Sequence, residues 1–133
     1  MKFKNALITG ACGYIGARLS QYLAVNGYRV TIFDSIEPVN YPVWSALMDQ
    51  VIVGDIQDTK TIEKLAKQKF DVLIHLISLD QKNSCKNANY VSSINLMPTW
   101  NLLDKLTKNG LKKFIYFSTI QVYGNLPKEV ISE

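Results

Sequence analysis

Short apolar runs alternate along the chain with longer segments in which apolar residues recur at helical spacing. This alternation is typical of parallel strands joined by crossover helices. Several runs are apolar on both faces, as expected of strands that helices cover on each side. The five runs lie at residues 3–9, 29–34, 50–55, 71–78 and 113–118. The pattern therefore predicts an α/β fold with a doubly wound parallel sheet.

Three helices are predicted between these runs. They cover residues 14–26, about 58–68 and much of 86–109. Asp58 or Thr59 is expected to cap the second helix, because both side chains can accept from the first amides of a helix. Pro98 lies inside the third helix and removes a backbone donor, which predicts a bend or a break there.

The segment 35–48 carries two prolines and has no clear period. It is predicted to be a loop with at most one helical turn. Tyr41 and Trp44 in this loop could stack on a nucleotide base, but packing onto the domain is the favoured interpretation.

A glycine-rich stretch follows the first apolar run, where residues 7–16 read LITGACGYIG. A strand, three spaced glycines and a helix form the arrangement in which backbone amides meet a pyrophosphate. Gly10 would permit a tight turn, and Gly13 the close approach of the phosphate. Gly16 would allow the helix to pack tightly on the strand. A small-residue turn without a ligand is the alternative for such a pattern taken alone.

The second apolar run ends in Asp34, eighteen residues after Gly16. An acidic side chain near this offset accepts hydrogen bonds from an adenosine ribose. Its charge would repel a 2′-phosphate, and the following Ser35 and Ile36 supply no cation. The sequence therefore favours NAD over NADP as the cofactor.

Composition narrows the class of protein further. A length of 133 residues, 47% hydrophobic residues and a net charge of +4 suit one compact domain. The basic excess is spread along the chain without an arginine cluster, so no nucleic-acid partner is expected. Zinc-ligand spacing, a signal-peptide core and the ~18 apolar residues of a membrane helix are all missing. These features predict a cytoplasmic protein with no metal site and no membrane partner.

Four side chains could take part in chemistry, but each also has a structural interpretation. Cys12 and Cys85 are expected to be reduced thiols. Cys12 precedes a helix, where a stabilised thiolate would be redox-sensitive, although a small loop residue is favoured. His75 ends a buried strand and is expected to be a hydrogen-bonded structural imidazole. Asn95 could bond near the nicotinamide or could cap a helix irregularity, and both interpretations stay open.

Five segments read, in chain order, TGACGYIG, GDIQD, HLIS, YVSSINLMPTWNLL and FSTIQVYG. Together they resemble the motifs of the extended short-chain dehydrogenase/reductase family, the NAD-dependent nucleotide-sugar epimerases and dehydratases. The resemblance runs from about residue 5 to residue 125. It implies a Rossmann-type sheet of about five strands in the order 3-2-1-4-5, with helices on both faces.

The resemblance also implies roles for individual residues. Tyr14 and Ile15 would contact the pyrophosphate, and Asp34 the ribose. Asp55 and Ile56 would contact the adenine. The complete set implied for NAD comprises Gly10, Gly13, Tyr14, Ile15, Gly16, Asp34, Ser35, Asp55, Ile56, Leu76, Ile77, Ser78 and Asn95.

The catalytic hydroxyl of the family falls on Thr119 in this chain, with Ser118 beside it in a supporting role. A threonine hydroxyl donates and accepts as a serine hydroxyl does. Two positions depart from the family pattern. Ile77 and Ser78 stand where the family usually has Ala-Ala, and Pro98 stands where a glycine is usual, so the floor of the nicotinamide pocket is altered.

The Tyr-x-x-x-Lys pair that performs proton chemistry in the family is missing, because none of the seven tyrosines has a lysine four residues later. Residues 1–133 are therefore expected to be the NAD(P)-binding N-terminal portion of a longer enzyme, lacking the C-terminal substrate domain and inactive alone. A nucleotide sugar would be the partner of the longer enzyme. The alternatives are a non-catalytic NAD(H)-binding sensor or regulatory module of the same fold and an NADP-dependent reductase fragment.

The predicted sheet stops before the sixth strand of the doubly wound order. The run 113–118 would then form an open apolar edge of the sheet. Such an edge tends to pair with another chain, which predicts concentration-dependent homo-oligomers.

Overall fold

The computed structural model describes residues 4–85 and 87–119. Its centre is a five-stranded parallel sheet in the order β3-β2-β1-β4-β5, which confirms the predicted Rossmann-type topology. The strands are β1 (Asn5–Thr9), β2 (Arg29–Asp34), β3 (Gln50–Val53), β4 (Val72–His75) and β5 (Lys113–Tyr116). All five predicted strands are present, and β3, β4 and β5 end earlier than predicted.

The helices connect the strands as crossovers. They are α1 (Tyr14–Val25), α2 (Pro42–Ser45), α3 (Thr59–Ala66), α4 (Gln81–Ser84), α5 (Ala88–Val91) and α6 (Met97–Lys108), with a π-helix at Ser92–Leu96. The predicted cap is confirmed, because the Asp58 carboxylate accepts from the amides of Lys60 and Thr61 at 3.1 and 3.3 Å. The single turn of α2 lies inside the predicted loop, whereas α4 was not predicted.

Apolar side chains pack on both faces of the sheet. Leu7 faces α3 and α6, where it joins a cluster with Leu65 and Leu102. The neighbours of Leu7 in β1, Ala6 and Ile8, face the opposite side with Leu19 and Leu23 of α1 packed against them. This alternation buries the three inner strands, β1, β2 and β4, between helices, with about 2 kcal/mol of stabilisation for each fully buried large apolar side chain.

The break predicted in the third helix is confirmed. The π-helix separates α5 from α6, and Pro98 lies in the first turn of α6. The amide of Met97 donates to the carbonyl of Ser92, five residues earlier. Since Pro98 has no amide hydrogen, the regular ladder is interrupted at this point and the wider turn precedes it.

The two aromatic residues of the 35–48 loop behave differently. Trp44 packs against the core on the α1 side of the sheet, and its Nε1 donates to the carbonyl of Ala17 at 3.1 Å and to Ser20 Oγ at 3.0 Å. The packing interpretation is therefore confirmed for Trp44. It is wrong for Tyr41, whose side chain is 66% exposed.

β5 forms one edge of the described sheet and pairs with β4. Phe114 and Ile115 are half-buried, while Lys113 and Tyr116 are exposed. Oligomerisation through this edge stays a prediction. Among residues 4–85 and 87–119, no helix has both the length and the apolar character needed to cross a bilayer.

Candidate cofactor site

A cleft of about 640 Å³ opens at the carboxyl ends of β1 to β4. It lies where the chain crosses from one side of the sheet to the other between β1 and β4, the position at which doubly wound sheets bind ligands. The structure brings nine candidate residues together in its lining, namely Gly10, Gly13, Asp34, Ser35, Asp55, Ile56, Leu76, Ile77 and Ser78. Residues that the sequence interpretation missed, including Gln57 and Ile94, also line it.

The glycine turn is held by close backbone contacts. Gly10 has a φ of +72°, and a Cβ atom there would lie 3.0 Å from the backbone carbon of Leu76. A Cβ on Gly16 would lie 2.6 Å from Ala11 Cα. The structure thus has the tight turn expected at Gly10. It packs α1 at Gly16 against the turn that follows β1.

Helix α1 begins at this turn without a side-chain cap. Gly13 is its N-cap residue, and the first turn contains no acidic side chain. The positive end of the helix dipole and the first-turn amides therefore have no anionic partner from their own helix. A Cβ on Gly13 would meet only the carbonyl oxygen of Gly10, at 3.3 Å. An anionic group can approach this end of the helix closely.

Asp34 is fixed beside the glycine turn. One carboxylate oxygen accepts from the amide of Cys12 at 2.8 Å, and the other accepts from the amide of Ile36 at 3.1 Å. The spacing of Asp34 and Ile36 is that of an Asx turn, a signal the sequence contained. The bond to Cys12 spans 22 residues and had no local signal. Asp34 thus orients the glycine turn as well as lining the cleft.

The thiol of Cys12 is held in the same place. Its Sγ donates to the carbonyl of Ile36 at 3.2 Å. Burial, reinforced by the nearby Asp34 carboxylate, raises the pKa of Cys12 from 9.0 to about 11. The alternative of a stabilised thiolate at the start of α1 is therefore wrong, because the Asp34 charge and burial both oppose it.

A second carboxylate, Asp55, follows β3 on the neighbouring side of the cleft. It is brought beside Asp34 by a backbone hydrogen bond of 2.9 Å from the amide of Gly54 to the carbonyl of Asp34. The Asp55 side chain accepts from the amide of Gln57 at 2.8 Å. No lysine or arginine of the described residues lines the cleft, so its charged groups are acidic.

Asn95 lies in the π-helix and acts on the loop that follows β4. Its side-chain oxygen accepts from the amide of Leu79 at 2.9 Å. Leu79 follows Leu76, Ile77 and Ser78, which line the cleft. Asn95 is not among the described residues that line the cleft. It acts on the cleft only through this loop.

The side chains of Tyr14 and Ile15 are 76% and 51% exposed and do not line the first cleft. Tyr14 instead lines a second cleft of about 580 Å³, where the Arg18 guanidinium lies 4.4 Å from the centre of its ring. Gly13 lines both clefts. If Tyr14 and Ile15 contact a phosphate, they do so through their backbone amides.

Ser118 and Thr119 follow β5 and are exposed. Neither lines the cleft among the described residues. The remainder of the FSTIQVYG motif lies outside the described residues. In the part of the chain the structure describes, no cluster of three or more His, Cys, Asp or Glu side chains is arranged to hold a metal ion.

The fold and the cleft together define a Rossmann-type protein of the extended short-chain dehydrogenase/reductase class. The profile of the NAD dependent epimerase/dehydratase family matches residues 6–133, and the chain belongs to this family.

Curated and solved proteins support this placement. A UDP-glucose 4-epimerase of Pisum sativum is 33% identical over 94% of this chain and 39% of its own length. The UDP-Glc/GlcNAc 4-epimerase of Campylobacter jejuni is 25% identical with a TM-score of 0.85, over 98% of this chain and 41% of that chain. The UDP-glucose 4-epimerase of Bifidobacterium longum, solved with NAD+ and UDP, is 29% identical with a TM-score of 0.80, over 96% of this chain and 40% of that chain. This chain thus spans about two fifths of the length of these relatives.

Proposed function

We propose that the cleft binds NAD and that the chain is the cofactor-binding portion of an enzyme that epimerises or dehydrates a nucleotide sugar. NAD supplies a transient hydride acceptor in such chemistry. The residues of this chain bind and orient the cofactor. The relatives named above, one of them solved with NAD+ and UDP, support the proposal.

The observation that carries the proposal is the position of Asp34 beside an uncapped helix. A dinucleotide presents a diphosphate and, one sugar away, a ribose with two hydroxyl donors. The start of α1 offers amides and positive dipole charge to the diphosphate. Asp34 lies across the glycine turn from these amides and offers carboxylate oxygens to the ribose. The amide donors and the carboxylate acceptor of the cleft therefore fit the diphosphate and the ribose of the cofactor.

The charges of the cleft support NAD rather than NADP. Among the described residues that line it, Asp34 and Asp55 are the charged side chains, and none is a cation. A 2′-phosphate would be placed near Asp34 without a positive partner, which is unfavourable.

The cofactor preference predicts the behaviour of Asp34→Asn. We expect the unmodified chain to bind NAD at least about tenfold more tightly than NADP. The variant should bind NAD about tenfold more weakly and should discriminate less, because a charge-assisted hydrogen bond contributes about 1.5–3 kcal/mol. Isothermal titration calorimetry with both cofactors measures this. Asp104→Asn, a surface substitution on α6, is the matched control. Equal affinity of the unmodified chain for NADP and NAD would contradict the proposal.

Gly13→Ala tests the diphosphate contact separately from the fold. The new methyl group meets only the Gly10 oxygen at 3.3 Å, so we expect the melting temperature to change by only a few degrees. The methyl group would occupy the space that a phosphate needs, and NAD affinity should fall at least about tenfold. Differential scanning fluorimetry and calorimetry give the two quantities. A stable variant that binds NAD normally would show that the diphosphate lies elsewhere.

Catalysis is proposed for the longer enzyme rather than for this chain alone. Thr119 would supply the hydroxyl that contacts the sugar, with Ser118 supporting it. The chain lacks the Tyr-x-x-x-Lys pair for proton transfer. We therefore expect no product when the chain is incubated with NAD and a UDP-hexose and followed by proton NMR. Turnover under these conditions would contradict this assignment.

A further inference from the structure

His75 is the centre of a buried polar network behind the cleft. It is only 1% exposed. Its Nδ1 lies 2.7 Å from Thr9 Oγ1, and its Nε2 lies 2.9 Å from Thr99 Oγ1. Both ring nitrogens therefore have partners, one on β1 and one on α6.

The hydrogen bonds of Thr99 determine the tautomer of the ring. The Thr99 hydroxyl donates its single proton to the carbonyl of Asn95 at 2.8 Å, because a carbonyl can only accept. The same hydroxyl oxygen must then accept from His75 Nε2–H. Nδ1 carries no proton and accepts from the Thr9 hydroxyl. Every polar atom of the network is satisfied only by neutral His75 protonated at Nε2.

The network reaches the cleft through two elements. Thr9 directly precedes Gly10, where the glycine turn begins. Thr99 anchors the Asn95 carbonyl in the π-helix, while the Asn95 side chain accepts from Leu79 at the end of the loop that lines the cleft. The His75 ring also stacks on Tyr116 of β5, with ring centroids 6.1 Å apart. The ring thus contacts β1, α6 and β5, and the Asn95 bonds extend the connection to the loop.

We propose that His75, as the Nε2–H tautomer, is a positioning residue of the cofactor cleft. By holding Thr99 it fixes the π-helix, and through Asn95 it fixes the loop 76–79 that forms one wall of the cleft. The cofactor-affinity part of this inference rests on the proposed NAD site. Its structural part, the tautomer and the coupling to Leu79, does not depend on that site.

A variant series on α6 tests the coupling. Thr99→Val keeps the shape of the side chain and removes the hydroxyl, whereas Thr99→Ser keeps the hydroxyl. Thr107→Val is the matched control, because Thr107 lies at the opposite, exposed end of α6 and its hydroxyl makes the same type of bond, to the carbonyl of Leu103 four residues earlier at 2.8 Å. The readouts are hydrogen exchange of the Leu79 amide by NMR, the dissociation constant for NAD, and the ¹⁵N shifts of the His75 ring.

We expect Thr99→Val to speed exchange of the Leu79 amide and to weaken NAD binding, each about tenfold, which corresponds to about 1.4 kcal/mol. Thr99→Ser should restore both to within about twofold, since a serine hydroxyl donates and accepts as threonine does. Thr107→Val should leave both unchanged. The ¹⁵N shifts of the unmodified chain should show a protonated Nε2 and an unprotonated Nδ1.

A protonated Nδ1 in the unmodified chain would overturn the inference, and this measurement needs no variant to fold. A Thr99→Val variant that behaves like Thr107→Val in Leu79 exchange would overturn it as well. If the unmodified chain failed to bind NAD, the proposed function would fail, while the tautomer and the Leu79 exchange would still decide whether His75 positions the loop.

Discussion

Replacing Gly16 by alanine is expected to destabilise the protein by about 3 kcal/mol, the upper end of the usual cost of overpacking. The added Cβ would lie 2.6 Å from Ala11 Cα and 3.0 Å from the Ala11 carbonyl carbon. These are backbone atoms of the glycine turn, so no flexible side chain can move aside. Alanine would otherwise favour a helix by about 1 kcal/mol over glycine. The sign of the result therefore separates the steric effect from helix propensity.

Urea denaturation and thermal melting measure this effect, with an expected loss of about 10 °C. Gly27→Ala is the matched control. Gly27 has a φ of +82° and nothing within 4 Å of an added Cβ, so only the backbone strain of about 1–2 kcal/mol is expected. A Gly16→Ala variant as stable as the unmodified chain would show that α1 does not pack on the turn as closely as described.

The second large effect is a loss of stability on acidification that originates from His75. Burial lowers the pKa of His75 from 6.5 to about 4. The unfolded chain gains a proton below pH 6.5, whereas the folded chain resists protonation until about pH 4. Stability is therefore complete above pH 6.5 and falls as the pH decreases through this window. The slope is about 1.4 kcal/mol per pH unit, or about 3 kcal/mol over the whole window.

His75 is the only histidine of the chain, so its ring proton resonance can be followed without ambiguity. We expect this resonance to titrate with a pKa near 4 in the folded protein and near 6.5 in urea. Urea denaturation at pH 7, 6 and 5 should give the corresponding decrease in the free energy of unfolding. Titration of the folded protein near pH 6.5 would contradict the buried neutral state on which the network depends.

A separate group acts at lower pH. Asp71 accepts from Lys112 Nζ and from the amides of Lys4 and Asn5, and these hydrogen bonds, led by that from Lys112, lower the pKa of its carboxyl. The stabilisation from Asp71 is present above the ordinary carboxyl pKa of about 4 and is lost below it. The effect of His75 is therefore measured most cleanly between pH 6.5 and 5.

Much of the fold was predictable because its signals are local. The apolar runs of the five strands and the helical period of α1 are local in sequence. The ends of the strands were predicted less accurately than their positions. For example, the apolar run 71–78 continues past β4, which ends at His75. Its last residues leave the sheet and line the cleft. Helix α4, capped by Asp80, has only four residues, and a helix of that length is too short to show a helical period in the sequence.

The glycines and Asp34 of the candidate site were predictable, because they lie at fixed spacings in the local order of strand, turn, helix and strand. Long-range contacts within the site were not predictable. The bond from Cys12 to Asp34 and the network from Thr9 through His75 to Thr99 join segments that meet only in the folded chain. The chain order of the motifs predicted neither the tautomer of His75 nor the direction of the Cys12 pKa shift.

The most direct test of the central claim is an NMR titration of the ¹⁵N-labelled chain with NAD. We expect saturable shifts of the backbone amides of Gly13, Tyr14 and Ile15, where the diphosphate would bind, together with shifts of Ser35 and Ile36 beside Asp34. An unchanged spectrum at these amides at saturating NAD, or saturable shifts confined to the surface of α3 and α6, would contradict the claim.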